Sequence, residues 1–183
     1  MADIQSATTA MGFDMFSDSR TGSLLRTLAA SKPNGALLEL GTGTGIATVW
    51  LLEGMDSRST LLTVDNDDQV VAVAQKHLGD DPRVIFTVLD GGEYLQQLSA
   101  RGLTFDLVFA DTWPGKYTHL EETLELLRVG GIYIVDDMLP QSNWPDDHPP
   151  KVRRLIERLT TRSDLHVTRL NWSTGIIIAA KVT

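Results

Sequence analysis

Short apolar runs alternate along the chain with segments whose apolar residues recur at helical spacing. Seven runs predict β-strands, and the first five are short and rich in Val, Leu and Ile, as in strands buried on both faces of a parallel sheet. Four segments between them predict helices. The predicted strands cover residues 36–40, 60–65, 84–89, 107–110, 132–136, 165–170 and 175–182, and the predicted helices cover 46–55, 68–78, 92–101 and 116–127.

This alternation is typical of a doubly wound α/β sheet. Residues 171–174 are too few for a helical crossover, so the last two strands must form an antiparallel hairpin. Gly130 and Gly131 predict a turn into the fifth strand. We therefore expect one Rossmann-like domain over residues 1–183, with seven strands, a closing hairpin and residues 1–30 as a helical cover.

Residues 140–150 contain four prolines, which disfavour a helix and predict a loop. The loop follows the fifth strand and so lies at the carboxyl edge of the sheet, where ligands bind in open α/β proteins. It contains Trp144 and His148. A lid over an active site and a plain surface connection both fit this composition.

Charge and composition narrow the class of partner. The chain has a formal net charge of −8 and no cysteine, which argues against nonspecific nucleic-acid binding and excludes disulfides and thiolate metal sites. We find neither a secretory start nor an apolar run of the roughly 20 residues needed to span a bilayer. A cytoplasmic protein with a small-molecule substrate, and without nucleic-acid or membrane partners, is expected. The basic residues Lys151, Arg153, Arg154 and Arg158 fit a solvated helix face.

A glycine turn follows the first predicted strand. Its glycines occupy relative positions 1, 3 and 5, whereas the dinucleotide fingerprint has 1, 3 and 6, and Ile46 stands at the sixth position here. Glycines let a ligand approach the backbone closely, although a tight strand–helix turn alone is the alternative. A carboxylate just before the turn would organise it through hydrogen bonds. The predicted cofactor loop comprises Glu39, Gly41, Thr42, Gly43 and Gly45.

Two further acidic residues follow strands. Asp65, followed by Asn66, ends the second strand about 20 residues after the glycine turn, where a carboxylate accepts hydrogen bonds from ribose hydroxyls. Asp90, followed by Gly91, comes after the third strand, from which the adenine edge of a nucleoside is reached. In both places helix capping, by Asp65 or Asp67 and by Asp90, is the alternative.

A second group of residues carries a specific resemblance. In Phe105-Asp106-Leu107-Val108-Phe109-Ala110-Asp111-Thr112-Trp113, and in Asp136-Asp137 after the next strand, the chain resembles class I S-adenosylmethionine-dependent methyltransferases. Over residues 21–181 it is similar to the small-molecule O-methyltransferases related to catechol and caffeoyl-CoA O-methyltransferases. The resemblance implies a divalent cation (Mg²⁺, Mn²⁺ or Ca²⁺) held by Asp111, Asp136 and Asp137. It also implies that Trp113 borders the cofactor, with a core tryptophan as the alternative.

Physical chemistry agrees with this metal assignment, because three carboxylates at neighbouring strand ends repel one another unless a hard cation joins them. Helix caps and a solvated carboxylate are the alternative. Asp137 stands where the family has asparagine, which puts catechol-like substrates in doubt. The family also has a lysine base three residues after the first aspartate, but Pro114 stands there. Lys116 is the nearest amine, and it points either to the metal or to solvent.

The function expected is methyl transfer from S-adenosylmethionine to an oxygen of a small molecule, assisted by a divalent metal, with Lys116 and Asp111 as catalytic residues. An NAD(P)-dependent oxidoreductase is the alternative enzyme, favoured by the glycine turn and opposed by Ile46. Pro114 suggests a second alternative, a cofactor-binding domain without turnover. Residues 11–16 would cover the pocket, with a helix packed on the sheet or on a second subunit as the alternative, so a homodimer stays open.

Overall fold

The computed structural model describes residues 1–141 and 144–183, and its strands form one seven-stranded sheet. They are β1 (Ala36–Leu40), β2 (Thr60–Asp65), β3 (Val84–Val88), β4 (Phe105–Ala110), β5 (Leu127–Val135), β6 (Leu165–Leu170) and β7 (Ile176–Lys181). Their order across the sheet is β3-β2-β1-β4-β5-β7-β6.

The first five strands are parallel and the last two close the sheet in the antiparallel sense. β1 pairs with β2 and β4, while β3 adds to β2 and β5 adds to β4. β7 runs antiparallel to both β5 and β6. The doubly wound sheet with a C-terminal hairpin is therefore confirmed, and the carboxyl ends of β1, β2, β4 and β5 lie at one edge.

Helices cover both faces of the sheet. They are α1 (Ala2–Met11), α2 (Ser19–Ala30), α3 (Ile46–Gly54), α4 (Asp68–Leu78), α5 (Gly91–Ala100), α6 (Leu120–Glu125) and α7 (His148–Thr160). Asp18, Asp67 and Asp90 begin three of them, each accepting two hydrogen bonds from backbone N–H groups of the first turn. Within the described residues, none of these helices has the length and apolar character needed to cross a membrane.

Side chains alternate between the two faces of each strand, so the sheet separates two apolar layers. Leu38 and Leu40 of β1 pack in one layer with leucines of α5, α6 and α7. Leu37, one residue earlier, packs in the other layer with leucines of α2 and α3. A third, smaller group joins Ile4 of α1 to Ile46 and Val49 of α3.

Two predicted boundaries around residues 114–131 are wrong. The helix expected from Lys116 begins only at Leu120, because Pro114 and Thr118 form a β-bridge and the intervening residues make a tight turn. β5 begins at Leu127 rather than at residue 132, and its pairing with β4 shifts between Leu127 and Ile132. The two predicted turn glycines, 130 and 131, thus lie in an irregular part of the strand.

The predicted loop at residues 140–150 is also shorter than expected. α7 begins at His148 and carries Pro149 and Pro150 in its first turn, where no intrahelical N–H bond is required of them. Ser142 and Asn143 lie outside the described residues. The lid hypothesis for this segment falls partly on them and stays a prediction.

Candidate functional site

A cleft of about 620 Å³ lies at the carboxyl edge of the sheet, a size typical of small-molecule sites. It joins the glycine turn after β1 to the acidic residues after β4 and β5. Of the residues predicted from the sequence, the lining contains Gly41, Thr42, Gly43, Asp65, Asn66, Asp111, Trp113, Lys116, Asp136 and Asp137. The predicted residues Glu39, Gly45, Asp90 and Gly91 do not line it.

The glycine turn is held close to its neighbours. A Cβ on Gly41 would lie 3.1 Å from the carbonyl oxygen of Asp111, and the Gly41 N–H donates to the carbonyl of Val64 at 2.9 Å. Gly45 has φ +90°, and its Cβ would lie 2.9 Å from the Cβ of Ala74. A side chain at either position would push the turn away from β4 or α4.

Asp65 at the end of β2 ties this turn to the neighbouring strand. Its Oδ2 accepts a hydrogen bond from the Gly43 N–H at 2.8 Å, and its Oδ1 accepts one from the Asp67 N–H at 3.2 Å. A carboxylate has about four acceptor positions, so two remain for a ligand. Asp67 caps α4, so the capping role predicted for Asp65 or Asp67 belongs to Asp67.

Glu39 lies beneath the turn in the core. Its side chain is fully buried, and the hydroxyls of Thr48 and Thr63 both donate to its Oε2 at 2.6 Å. Its Oε1 has no partner among the described residues. Burial raises the pKa of Glu39 to about 8 against the effect of the two hydroxyls, so the side chain is a neutral acid at pH 7. Both donors lie outside the glycine turn, so the role predicted for Glu39 in organising that turn stays a prediction.

Asp90 and Gly91 lie at the start of α5. The Oδ1 of Asp90 accepts from the N–H groups of Gly92 and Glu93 at 2.8 and 3.0 Å, which is helix capping. A Cβ on Gly91 would lie 2.9 Å from the Cβ of Pro114. Gly91 therefore lets α5 approach the turn that carries Lys116, and the adenine contact of Asp90 stays a prediction.

Asp111 and Asp136 form the buried acidic part of the cleft. Ser17 donates to Oδ2 of Asp111 at 3.1 Å, and Thr174 donates to Oδ1 of Asp136 at 2.6 Å. Burial is the main cause that raises the pKa of each carboxyl. The charge of neighbouring Asp137 adds to the increase, whereas Lys116 opposes it.

Lys116 is drawn into the cleft by the turn that replaces the predicted helix start. The residue is only 4% exposed, and its Nζ lies 3.6 Å from Oδ1 of Asp111. The Gly115 N–H donates to the carbonyl of Thr118 at 2.8 Å, and the hydroxyl of Tyr133 donates to the carbonyl of Gly115. Lys116 thus points toward the aspartates rather than into solvent, which is one of the two orientations expected of it.

The donor atoms do not suit the predicted divalent cation. In residues 1–141 and 144–183, no three His, Cys, Asp or Glu side chains are arranged to hold a metal ion. Asp111 pairs with Lys116, and Oδ1 of Asp136 is occupied by the Thr174 hydroxyl and the Asp137 N–H. Asp111, Asp136 and Asp137 do line one cleft, as expected, but a lysine shares it.

Aromatic side chains form a further part of the cleft lining, the aromatic wall, which consists of Trp113, Tyr117, Trp144 and His148. The Tyr117 hydroxyl and Nε2 of His148 are 3.1 Å apart, and the rings of Trp144 and His148 are 4.5 Å apart. Trp113 is 49% exposed, so it is not a core residue. Burial and the charge of Asp137 raise the pKa of Tyr117 to about 12, which keeps the phenol protonated.

The N-terminal segment covers the mouth of the cleft, as one of the two interpretations of residues 11–16 predicts. Phe13, Met15 and Phe16 contribute to the lining, and the Phe13 ring lies against Gly43. Sequence reasoning missed Ser17 and Thr174, which belong to no motif. Tyr117 was also missed, because the tight turn after Pro114 was not predicted, whereas His148 was named only as part of the loop at residues 140–150.

Comparison with known proteins identifies the class. Residues 38–138, more than half of the chain, match the family described as "Methyltransferase domain", and they contain the glycine turn, Asp65 and Asp111. The chain belongs to this methyltransferase domain family. The match supports the methyltransferase prediction over the oxidoreductase alternative.

Individual relatives agree with this family. A "Putative O-methyltransferase" of Mycobacterium avium is 34% identical over 121 residues, which cover 62% of this chain and 53% of that protein. A catechol O-methyltransferase of Niastella koreensis is 29% identical over 132 residues, covering 69% and 60%. The chain spans about half the length of the curated relatives it matches first.

The same fold occurs in solved O-methyltransferase structures. The enzyme of Streptomyces achromogenes involved in tomaymycin synthesis, in complex with S-adenosylmethionine, matches with a TM-score of 0.86 at 24% identity. The alignment covers 100% of this chain and 89% of that one. At this identity the likeness shows the fold.

Proposed function

We propose that this chain transfers the methyl group of S-adenosylmethionine to an oxygen atom of a small molecule. One observation carries the proposal: the glycine turn and Asp65 open onto the same cleft as Asp111 and Lys116. The cofactor side and the acceptor side therefore share one cavity. The family membership supports the same class of reaction.

The residues of the cofactor side fit S-adenosylmethionine. Gly41 and Gly43 present backbone atoms to the cleft, and Asp65 keeps acceptor positions for two ribose hydroxyls. Thr42, Asn66 and Trp113 line the remaining contact surface. Asp90 and Gly91 do not line the cleft, so the adenine contact predicted for them requires the ligand to extend beyond the lining residues.

The chemistry needs little covalent participation by the protein. When bound, S-adenosylmethionine supplies a sulfonium methyl group that the acceptor oxygen attacks in line, and the C–S bond breaks with its electron pair going to sulfur. The cleft orients the acceptor oxygen and excludes water from it. The N-terminal residues Phe13 to Phe16 and the aromatic wall supply this cover.

The hydroxyl proton of the acceptor leaves through Lys116 and Asp111. Nζ of Lys116 lies 3.6 Å from Oδ1 of Asp111, which is within ion-pair distance. The Lys116 ammonium first gives a proton to Asp111, and the amine so formed then takes the proton of the acceptor hydroxyl. One proton has then moved to the Asp111 carboxylate, and Lys116 is again an ammonium. This keeps the base role predicted for Lys116 and makes Asp111 the final proton acceptor.

The sequence also predicts that a divalent metal assists the reaction. The pairing of Asp111 with Lys116, and the hydrogen bonds that Asp136 accepts, argue against a cation between these carboxylates. Three carboxylates nevertheless remain on the lining of the cleft, so their affinity for a divalent ion such as Mn²⁺ can be measured directly.

Calorimetry with S-adenosylhomocysteine tests the proposal at its root. We expect one binding site per chain, and no comparable binding of NADH. Absence of S-adenosylhomocysteine binding would overturn the proposal, and NADH binding in its place would favour the oxidoreductase. A second assay offers the cofactor with catechols, phenols and hydroxy acids, and binding without transfer to any of them favours a cofactor-binding domain.

A further inference from the structure

Lys116 is a buried cation surrounded by acidic side chains. Its side chain is 5% exposed, and that of its partner Asp111 is 16% exposed. A charge removed from water to this degree is stable only beside opposite charge. Asp136 and Asp137 line the same cleft as Lys116. The charge of Lys116 opposes the rise in the pKa of Asp136, so the ammonium acts on a second carboxylate besides Asp111.

The chain holds this ammonium in position by backbone bonds. The Lys116 N–H donates to the carbonyl of Trp113 at 3.2 Å, and Gly115 is fixed on both sides by Thr118 and Tyr133. Gly115 has φ +89°, and a Cβ there would overlap a methyl carbon of Leu40. The turn is therefore pressed against β1, and Lys116 is directed inward.

We propose that the Lys116 ammonium is the resident cation of this acidic cleft and takes the place of a divalent metal. It neutralises part of the charge of Asp111, Asp136 and Asp137, and it binds the acceptor oxygen as negative charge develops there. A protein cation and a divalent ion compete for the same carboxylates, so the cleft excludes the metal while Lys116 is charged. The catalytic part of this inference rests on the proposed function, whereas the exclusion of the metal does not.

Binding of Mn²⁺, followed by electron paramagnetic resonance of the free ion, tests the inference on the whole protein. Binding at this site is the difference between the Mn²⁺ bound by a protein and the Mn²⁺ bound by the same protein carrying Asp136→Asn. We expect none in the wild type at millimolar Mn²⁺. We expect Lys116→Met, which keeps the length of the side chain and removes its charge, to bind Mn²⁺ at least about tenfold more tightly than the wild type.

Two variants control for charge and position. Lys116→Arg keeps a cation and should exclude Mn²⁺ as the wild type does. Lys151→Met removes a second lysine near the cleft, one that lies 4.3 Å above the Trp113 ring and pairs with Asp147. It should not gain Mn²⁺ binding, because Lys151 does not pair with the three aspartates.

The inference would be overturned if the wild type bound one Mn²⁺ that the Asp136→Asn variant did not bind. It would also be overturned if Lys116→Met bound Mn²⁺ no more tightly than the wild type. The wild-type measurement needs no variant, so the inference stays testable if Lys116→Met fails to fold. S-adenosylhomocysteine calorimetry on the same samples separates the two proposals. Loss of cofactor binding rejects the proposed function, whereas Mn²⁺ binding rejects only the role of Lys116.

Discussion

The carboxylate of Asp65 accepts a hydrogen bond from the backbone N–H of Gly43 at 2.8 Å. The end of β2 thus fixes the turn that follows β1, although the two residues are 22 positions apart. A single side chain both shapes the glycine turn and faces the cleft. Loss of the Asp65 charge should therefore weaken cofactor binding.

We predict that Asp65→Asn weakens S-adenosylhomocysteine binding by about tenfold or more in calorimetry. An amide keeps one acceptor for the Gly43 N–H but leaves too few for two ribose hydroxyls, and a hydrogen bond to a charged group contributes about 1.5–3 kcal/mol. Asp68→Asn, three residues further along in α4, makes the same charge change outside the cleft lining and should leave the affinity unchanged. Equal affinity in both variants would contradict the ribose assignment.

Asp90 gives a contrasting prediction, because its observed hydrogen bonds cap α5. Asp90→Ala should lower the free energy of unfolding by about 1 kcal/mol, and Asp90→Ser, which keeps a capping oxygen, should lower it much less. S-adenosylhomocysteine affinity should stay close to that of the wild type in Asp90→Ser. A stable Asp90→Ser protein with markedly weaker binding would instead support the adenine contact predicted from the sequence.

Gly45→Ala should destabilise the fold by about 2–4 kcal/mol in chemical denaturation. The substitution adds the cost of a left-handed backbone, about 1–2 kcal/mol, to a clash between the new Cβ and Ala74 at 2.9 Å. Gly102→Ala is the matched control: Gly102 has φ +65°, and a Cβ added there would have no described heavy atom within 4 Å. In Gly102→Ala only the cost of the left-handed backbone should appear. If both variants lost the same free energy of unfolding, the contact between residue 45 and α4 would be ruled out as a cause.

Patterns along the chain predict the elements of the sheet better than the residues between them. Val, Leu and Ile runs predict β1 and β2 to the residue, because strands buried by helices need apolar sequence. The helix predicted to start at Lys116 is wrong because residues 113–118 form a turn, closed by hydrogen bonds between backbone groups of Trp113, Gly115 and Thr118. The spacing of apolar residues along the sequence does not reveal such a turn.

The same distinction holds for the candidate site. Asp65, Asp111 and Asp136 could be predicted to share one edge, since they end parallel strands that lie side by side. Ser17 and Thr174, which donate to two of the cleft carboxylates, reach the site from the N-terminal segment and from the final hairpin. Their positions depend on tertiary packing. The pairing of Lys116 with Asp111 likewise depends on the turn, so spacing alone left its direction open.

Glu39 gives the fold a pH dependence that a single substitution can isolate. Its pKa is about 8 in the folded protein against an ordinary value of 4.5, because the side chain is buried. Between these values the unfolded chain has released the proton and the folded chain retains it, so stability falls as the pH rises from 4.5 toward 8, by up to about 1 kcal/mol per pH unit.

Glu39→Gln removes this titration while keeping an oxygen that can accept from Thr48 and Thr63. We predict that its free energy of unfolding, measured by chemical denaturation from about pH 5 to about pH 8, increases relative to the wild type as the pH rises. Glu53→Gln, on the exposed surface of α3, makes the same charge change as a control. A difference between Glu39→Gln and the wild type that is constant across this range would mean that Glu39 is ionised in the folded protein.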